Sequence, residues 1–290
     1  MIPLRQYEGV RMDNRTFGDR LAERIADLGP LCVGVDPSRE MLASWERDDD
    51  VYGLEFFALA MLEAAMGHAA ALKPQVAYFE RFGSAGYAVL ERVISEGRDA
   101  GLMVIADAKR GDIGSTNDGY AEAWFAPRSP LRADALTVSP YLGLSAMSSL
   151  VDSAVATGSG LFVVVASSNE EGRVVQSART ATDEKVEDYL LRQIATLNEK
   201  ADHLGAVGAV VGATRDRPRF DLSMLHGPYL VPGVGAQGAS PDDVGKLFER
   251  CPKGSVLVNV SRAISGAGPE SRALRDAVRR WRDDLSAVLP

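Results

Sequence analysis

Four charged residues lie close together in the segment DAKRGDIGST. Asp107, Lys109, Arg110 and Asp112 come directly after the apolar run Leu102–Ala106, which is typical of a buried strand in a parallel sheet. Alternation along a strand places Asp107 and Lys109 on the same side. An ammonium held among carboxylates stays protonated, so it can stabilise negative charge that develops on a neighbouring carbon and then deliver a proton.

Polar residues also stand at the ends of other apolar runs in the sequence. Asp36 ends the first run, Lys73 ends the second, and Ser168 comes just after the fifth. In a barrel of parallel strands the active residues come from several strand ends on one face. We therefore expect Lys73 to join Asp107 and Lys109 in one site. A structural ion pair between Asp107 and Lys109 is the alternative, and the clustering of charges at strand ends favours a functional role.

A glycine-rich segment, PGVGAQG, follows the seventh apolar run and indicates an anion site. Gly233, Gly235 and Gly238 allow backbone N–H groups to approach a ligand closely. Arg262 comes just after the eighth run and carries a forked guanidinium that suits phosphate. Because barrels often hold phosphate between the loops after strands 7 and 8, the two features together predict phosphate binding. A flexible turn beside a surface arginine is the simpler alternative.

Eight apolar runs alternate with helical patterns, which predicts a single domain with the (β/α)8, or TIM, barrel fold over residues 1–290. An open doubly wound sheet is the alternative, but the turn after the first run, Gly34–Pro37, is not a GxGxxG turn. The predicted strands are Leu31–Asp36, Ala70–Lys73, Leu102–Asp107, Ala135–Ser139, Leu161–Ala166, Ala206–Gly212, Tyr229–Pro232 and Ser255–Val260.

The predicted helices leave two segments outside the repeating pattern. One is an N-terminal arm of about residues 1–16, and the other is a polar loop of about residues 168–188 after the fifth strand, which is either a mobile lid or a solvated loop. The predicted helices are Phe17–Leu28, Gly53–His68, Ser84–Ala100, Asn117–Phe125, Leu144–Ala156, Val186–His203, Pro241–Arg250 and Glu270–Val288.

The composition excludes several classes of function. A formal net charge of −8 and a pI near 5.1 argue against general binding of nucleic acid. The N-terminus lacks the apolar core of a signal peptide, and no window has the roughly 18 apolar residues of a membrane span, so we expect a cytoplasmic protein without membrane contact. Two cysteines and three histidines provide neither a disulfide framework nor ligand spacing, so no metal site is predicted.

These residues give the chain a resemblance to the orotidine 5′-phosphate decarboxylase family, specifically to its longer-sequence group. A DxKxxD core also occurs in related sugar-phosphate enzymes, whereas KRGDIGST together with KPQVAYFE is highly specific. The segments that carry the resemblance follow the family's order from strand 1 to strand 8, and they are Val35–Pro37, Lys73–Glu80, Asp107–Thr116, Val231–Gln237 and Asn259–Arg262.

The resemblance implies decarboxylation of orotidine 5′-phosphate to UMP, the last step of de novo pyrimidine synthesis, without a cofactor or metal. It implies that Lys109 donates the proton to C6 of the pyrimidine after CO2 leaves. Asp107 would lie beside the substrate carboxylate, and Lys73 would orient the charged array and bind the ribose. The remaining substrate contacts implied are Asp36 to a ribose hydroxyl, Ser168 to the pyrimidine, and Gln237 and Arg262 to the phosphate.

The resemblance also implies a homodimer with shared active sites. Asp112 would reach into the neighbouring subunit's site, with Thr116 close by.

Two other functions remain open from the residues themselves. One is a related sugar-phosphate decarboxylase or aldolase barrel, although Mg²⁺ would need an acidic ligand near Asp107 and only Asp36 is available. The other is a barrel that binds nucleotides without catalysis.

Overall fold

The computed structural model describes residues 15–215 and 218–289, so the predicted N-terminal arm lies outside the described residues apart from Arg15 and Thr16. Its eight parallel strands form a closed barrel in sequence order, with the first strand paired to the eighth. This confirms the predicted TIM barrel and rules out an open sheet. The strands are β1 (Leu31–Val35), β2 (Ala71–Pro74), β3 (Met103–Arg110), β4 (Ala135–Val138), β5 (Gly160–Ala166), β6 (Val207–Val211), β7 (Tyr229–Val231) and β8 (Val256–Val260).

The helices surround the strands and include short segments that the sequence pattern did not predict. The longer helices are α1 (Phe17–Leu28), α3 (Val51–Ala65), α5 (Gly83–Asp99), α6 (Ser115–Phe125), α7 (Ser148–Ala156), α9 (Val186–Asn198), α10 (Pro241–Leu247) and α12 (Ser271–Ser286). The short ones are α2 (Arg39–Ser44), α4 (Val76–Glu80), α8 (Arg173–Gln176) and α11 (Arg262–Ser265). None of the helices in residues 15–215 and 218–289 combines the length and apolar character that crossing a bilayer requires.

The interior of the barrel is apolar towards its amino-terminal end. Cys32, Ile105, Phe162 and Leu257 belong to one buried cluster, and residues of α1 belong to the same cluster. Phe17, the first residue of α1, meets Phe162 edge to face with ring centroids 5.8 Å apart. Helix α1 therefore closes the lower end of the barrel, and the carboxyl ends of the strands remain open for a site.

The third strand is longer and less regular than the prediction of Leu102–Asp107. It continues to Arg110, and its pairing with β4 shifts register between Ala106 and Arg110. Ser139 still donates its N–H to the carbonyl of Arg110, at 2.8 Å, so the charged segment belongs to the sheet rather than to a loop. The sequence pattern placed the strand's end at the first charge because a bulge is not visible in hydrophobic periodicity.

The polar loop after β5 contains its own local structure. It includes a turn of 3₁₀ helix, α8 and a bridge between Arg179 and Lys185, and α9 begins at Val186 as predicted. Helix α9 ends at Asn198 and not at the predicted His203. The reason is that the Asn198 side chain donates to the carbonyls of two other segments, at 2.7 and 3.2 Å, where the chain turns away.

Candidate active site

A cavity of about 310 Å³ lies at the carboxyl ends of the strands. Charged and polar side chains from β2, β3, β4 and β8 and from the residue after β1 meet there with the loops after β5 and β7. The structure brings seven of the nine predicted site residues to its wall. They are Asp36, Lys73, Asp107, Lys109, Ser168, Gln237 and Arg262.

Asp107 is the centre of the charged cluster. Lys73 Nζ lies 2.7 Å from Asp107 Oδ2, and Lys109 Nζ lies 2.6 Å from Asp107 Oδ1. The two lysines differ in their access to the cavity, since the Lys73 side chain is 5% exposed and that of Lys109 is 50% exposed. Lys109 is therefore the ammonium that a ligand can approach, while Lys73 is buried behind the shared carboxylate.

Two residues that the sequence analysis did not select also hold Asp107. Gln75 donates from Nε2 to Asp107 Oδ2 at 3.2 Å, and Thr137 donates from Oγ1 to Asp107 Oδ1 at 2.9 Å. Thr137 also accepts the N–H of Lys109 at 3.0 Å. The sequence pattern that could have identified Thr137 is a polar residue inside the apolar run ALTVS, at a position that strand alternation turns towards the barrel interior.

Asp107 and Lys73 remain charged at neutral pH because their opposite charges stabilise one another. Burial raises the pKa of the Asp107 carboxyl, but the neighbouring Lys73 and Lys109 outweigh burial and hold that pKa well below its usual range. Burial lowers the pKa of the Lys73 ammonium, and Asp107 and Asp36 outweigh this effect and raise it. Beneath the cluster, burial raises the pKa of the Cys32 thiol to about 12, so the thiol is neutral.

The loop after β7 forms the other end of the cavity. Gly233 adopts a φ of 99°, in the region that favours glycine, and an added Cβ would lie 3.0 Å from Gln237 Oε1 and 3.1 Å from Ser168 Cβ. The glycine therefore lets Ser168 and Gln237 approach the same part of the wall. Arg262 is exposed at the start of α11 and makes no ion pair with the described residues, so its charge remains available to an anion.

Three buried polar atoms at the carboxyl ends of β1 and β8 have no hydrogen-bond partner among the described residues. They are Asp36 Oδ1, Asn259 Oδ1 and Ser261 Oγ, and all three residues line the cavity. The space for them depends on Gly34, because a Cβ there would lie 2.7 Å from Ser261 Cβ. Since buried polar groups are normally paired, this wall is complementary to a ligand with hydroxyl groups. Both Asn259 and Ser261 lie in the segment Asn259–Arg262 that carries the family resemblance, but the sequence analysis gave neither of them a role in the site.

The two serines after β5 have different surroundings. The hydroxyl of Ser167 donates to Asn169 Oδ1 at 2.7 Å and accepts from Gln176 Nε2 at 2.8 Å, so it is engaged within its own loop. The hydroxyl of Ser168 makes no hydrogen bond to any residue in the described ranges and faces the cavity. Its position supports Ser168 as the ligand contact of the pair.

Asp112 and Thr116 do not line this cavity. Asp112 Oδ1 accepts the N–H of Ile113 at 2.8 Å, and Thr116 is exposed on α6. Their assignment to a neighbouring subunit's site stays a prediction. Within residues 15–215 and 218–289, no three His, Cys, Asp or Glu side chains form a group that could hold a metal ion.

The fold and the site together define a class of barrel protein. In this class, a Lys–Asp–Lys cluster at the strand ends and a glycine-rich loop after β7 line the same cavity. A model of the "Orotidine 5'-phosphate decarboxylase / HUMPS family" matches residues 29–277. The chain belongs to this family.

Named proteins that are similar to this chain support the same family assignment. Proteins named orotidine 5′-phosphate decarboxylase from Salinispora arenicola and Streptomyces coelicolor are 49% and 48% identical to this chain, each over 94% of it and 98% of the relative. A crystal structure from Streptomyces avermitilis, of a protein described as an orotidine 5′-phosphate decarboxylase, has a TM-score of 0.92 and 46% identity, covering 97% of this chain and 98% of the other. The Leishmania donovani OMP decarboxylase has a TM-score of 0.72 and 28% identity, covering 94% and 98%.

Proposed function

We propose that this chain is a carboxy-lyase that converts orotidine 5′-phosphate to UMP and CO2 in de novo pyrimidine synthesis. The observation that carries the proposal is the half-exposed Lys109 ammonium, held 2.6 Å from a buried carboxylate in the same cavity as the loop after β7. The names and coverage of the relatives support this reaction over a sugar-phosphate aldolase or a barrel that only binds nucleotides.

The cavity fits a nucleotide that carries two separated negative charges. The phosphate binds at Gln237 and Arg262, where the forked guanidinium is free to bind it. The ribose lies against the unpartnered oxygen of Asp36, with Lys73 behind it, and the pyrimidine contacts Ser168. This pose directs the substrate carboxylate and C6 towards the charged cluster.

The reaction uses the proton of Lys109. The bond between C6 and the carboxylate breaks, CO2 leaves, and the electron pair stays on C6. The Lys109 ammonium stabilises this negative charge and then transfers a proton to C6, which gives UMP. Since the side chain is half-exposed, water can return a proton to Lys109 after each turnover. Asp107 lies beside the substrate carboxylate and keeps Lys109 in place.

Binding of the remote phosphate contributes to catalysis at C6. Contacts at Gln237 and Arg262 do not touch the reacting carbon, but their binding energy can order the loops after β5 and β7 around the substrate. The ordered cavity then holds C6 near Lys109 Nζ, and this positioning lowers the barrier.

The decisive experiment mixes purified protein with orotidine 5′-phosphate and follows the loss of its absorbance, with and without EDTA. We expect turnover that EDTA does not change, because the proposed chemistry uses no cofactor or metal. Absence of turnover would contradict the decarboxylase function, and loss of turnover in EDTA would contradict the metal-free mechanism. Trapping of substrate by borohydride would favour a Schiff-base aldolase instead.

We further propose that two chains form a homodimer with shared active sites. Three large apolar side chains, Ile113, Tyr141 and Leu142, are exposed on the loops after the neighbouring strands β3 and β4. Asp112 lies next to Ile113 in the sequence, and Thr116 is exposed nearby on α6. Exposed apolar groups at one face support a protein interface there. An interface at this face would direct Asp112 and Thr116 towards the partner's cavity.

A cytoplasmic location accompanies this function in our proposal. The thiol of Cys32 is buried in the barrel interior and is not in a disulfide, which suits a reducing compartment. Fractionation of the source cells, with the decarboxylase assay applied to each fraction, tests the location. Activity in the membrane fraction would contradict it.

A further inference from the structure

The bulge in β3 determines where the Lys109 ammonium points. Between Ala106 and Arg110 the register with β4 shifts, and Lys109 adopts a φ of 46° in the left-handed region, which is uncommon for residues other than glycine. A bulge at a strand end can redirect a side chain. Here the bend accompanies a Lys109 side chain whose Nζ lies 2.6 Å from Asp107 Oδ1.

One hydroxyl bridges two residues within the bulge, Asp107 and Lys109. Thr137 Oγ1 accepts the N–H of Lys109 at 3.0 Å and donates to Asp107 Oδ1 at 2.9 Å. The direction of both bonds follows from chemistry, since an amide N–H only donates, an ionised carboxylate only accepts, and a hydroxyl has one proton. The Thr137 side chain therefore connects the backbone of Lys109 to the carboxylate that holds its ammonium.

The environment makes this hydroxyl difficult to replace. Thr137 is 1% exposed on β4, so water does not substitute freely for its two bonds. At the bulge, the Lys109 N–H bonds to the Thr137 side chain in place of a carbonyl of β4. Without the hydroxyl, a donor in left-handed backbone and one lone pair of a buried carboxylate would both lose their partner.

We propose that Thr137 is a positioning residue for the proton transfer. Its hydroxyl fixes the Lys109 backbone and the Asp107 carboxylate relative to each other, and so places Lys109 Nζ where C6 of the substrate binds. The inference rests on the proposed decarboxylase function. It adds a residue from β4, which otherwise contributes no polar group to the charged cluster in the described chain.

The test compares Thr137→Val, which keeps the shape of the side chain, with Thr137→Ser, which keeps the hydroxyl. Because a small displacement of a reacting group is costly, we expect kcat of Thr137→Val to fall roughly 10- to 100-fold. KM for orotidine 5′-phosphate and the Kd of UMP should change less than about threefold, since phosphate and ribose contacts remain. The serine variant should recover kcat to within about threefold of the parent.

The matched control is Thr157→Val, which removes another buried threonine hydroxyl whose backbone bonds stay within the end of α7. It should leave kcat unchanged. A normal kcat in Thr137→Val, a parallel loss of kcat and UMP affinity, or no recovery in Thr137→Ser would each overturn the inference. If the valine variant does not fold, Thr137→Ala replaces it and is compared with Thr137→Ser. An inactive parent protein would instead refute the proposed function.

Discussion

Lys73 and Lys109 share the carboxylate of Asp107 but suit different tasks. The Lys73 side chain is almost fully buried, whereas the Lys109 side chain is half-exposed and contacts the same carboxylate. Proton donation to a substrate requires access and a route for reprotonation, and the greater exposure of Lys109 suits it to both. The different surroundings of the two ammonium groups support the proposal that Lys109 is the proton donor.

Lys109→Ala tests this separation. The variant should lose at least ~100-fold in kcat, because it lacks the general acid, while the Kd of UMP should stay within a few fold. Stopped assays of UMP formation and calorimetric titration with UMP measure the two effects. Lys253→Ala removes an exposed lysine at the opposite end of the barrel and should leave both quantities unchanged. Appreciable turnover in Lys109→Ala would refute Lys109 as the proton donor.

Asp107→Asn tests the charge balance through its pH dependence. A lowered pKa in the folded state means that Asp107 stabilises the fold above its unfolded pKa of about 3.9, and that this contribution is lost as pH falls further. The pKa of Lys73 is raised, so Lys73 stabilises the fold at every pH below its unfolded pKa of about 10.4. This stabilisation is lost as pH rises through the folded pKa. Asp107 and Lys73 therefore make their full contribution to the free energy of unfolding around neutral pH.

In Asp107→Asn the buried Lys73 ammonium loses its partner, so the free energy of unfolding should fall by about 3 kcal/mol at neutral pH. Urea titrations across the acid range should show this difference shrinking below pH ~4, where the parent protein loses the same contribution. Asp112→Asn, which alters a carboxylate outside the cavity, provides the control. A difference that stays constant down to low pH would contradict a depressed pKa for Asp107.

Sequence reasoning found the cavity-lining residues that stand at strand ends and missed those whose position depends on register. Asp36, Lys73 and Asp107 stand at the ends of apolar runs, so periodicity alone places them on the face that holds the cavity. Thr137 lies inside a run, and its selection depends on the bulge in β3 that brings Lys109 N–H to it. Asn259 lies inside β8, and its position on the cavity wall and its unpartnered oxygen become visible only in the structure.

At the scale of elements, two of the glycines in the loop after β7 have similar φ angles but different surroundings. Gly233 and Gly238 have φ values of 99° and 94°, but only Gly233 has side chains within 4 Å of an added Cβ. The backbone strain of an alanine is therefore comparable at both positions. A contact between the new methyl group and the Gln237 or Ser168 side chain arises at one of them only.

Gly233→Ala should therefore raise KM for orotidine 5′-phosphate about tenfold, because the methyl group displaces Gln237 and Ser168 from the ligand. Gly238→Ala should lower Tm by a similar amount and change KM far less. Steady-state kinetics and thermal unfolding of the two variants measure this contrast. Equal KM values in both variants would show that the close approach at Gly233 has no role in binding.

The bounds of a helix or strand could be predicted where the sequence pattern that determines them lies within the element itself. The predicted helix Phe17–Leu28 has the same bounds as α1 in the structure, where the Thr16 side chain accepts a hydrogen bond from the N–H of Asp19 in the first turn. The loop after β5 was less predictable, because its base is held by the buried ion pair between Glu187 and Arg215, at 2.8 Å across 28 residues of sequence. Such a long-range contact leaves no periodic pattern, so the sequence could not distinguish a lid from a solvated loop.

At the scale of the whole molecule, the barrel interior changes from apolar to charged along its axis. Below the cluster lie Ile105, Phe162 and Leu257, and above them lie Lys73 and Asp107. Closure of the barrel by the β1–β8 pairing brings strand ends from both halves of the chain to one cavity. The eight alternating runs were sufficient to predict this closure, whereas assembly of two chains depends on surface contacts that one chain does not define.

Mixing two inactive variants tests the shared-site dimer. In the proposed arrangement, every site of Lys109→Ala lacks its proton donor, and every site of Asp112→Ala lacks the residue from the partner. A heterodimer has one site with both defects and one with none, so equal mixing with free exchange should restore ~25% of the parent activity. Native mass spectrometry measures the fraction of heterodimer. Heterodimers without recovered activity would show that Asp112 does not serve the neighbouring site, and a monomeric parent would refute the dimer itself.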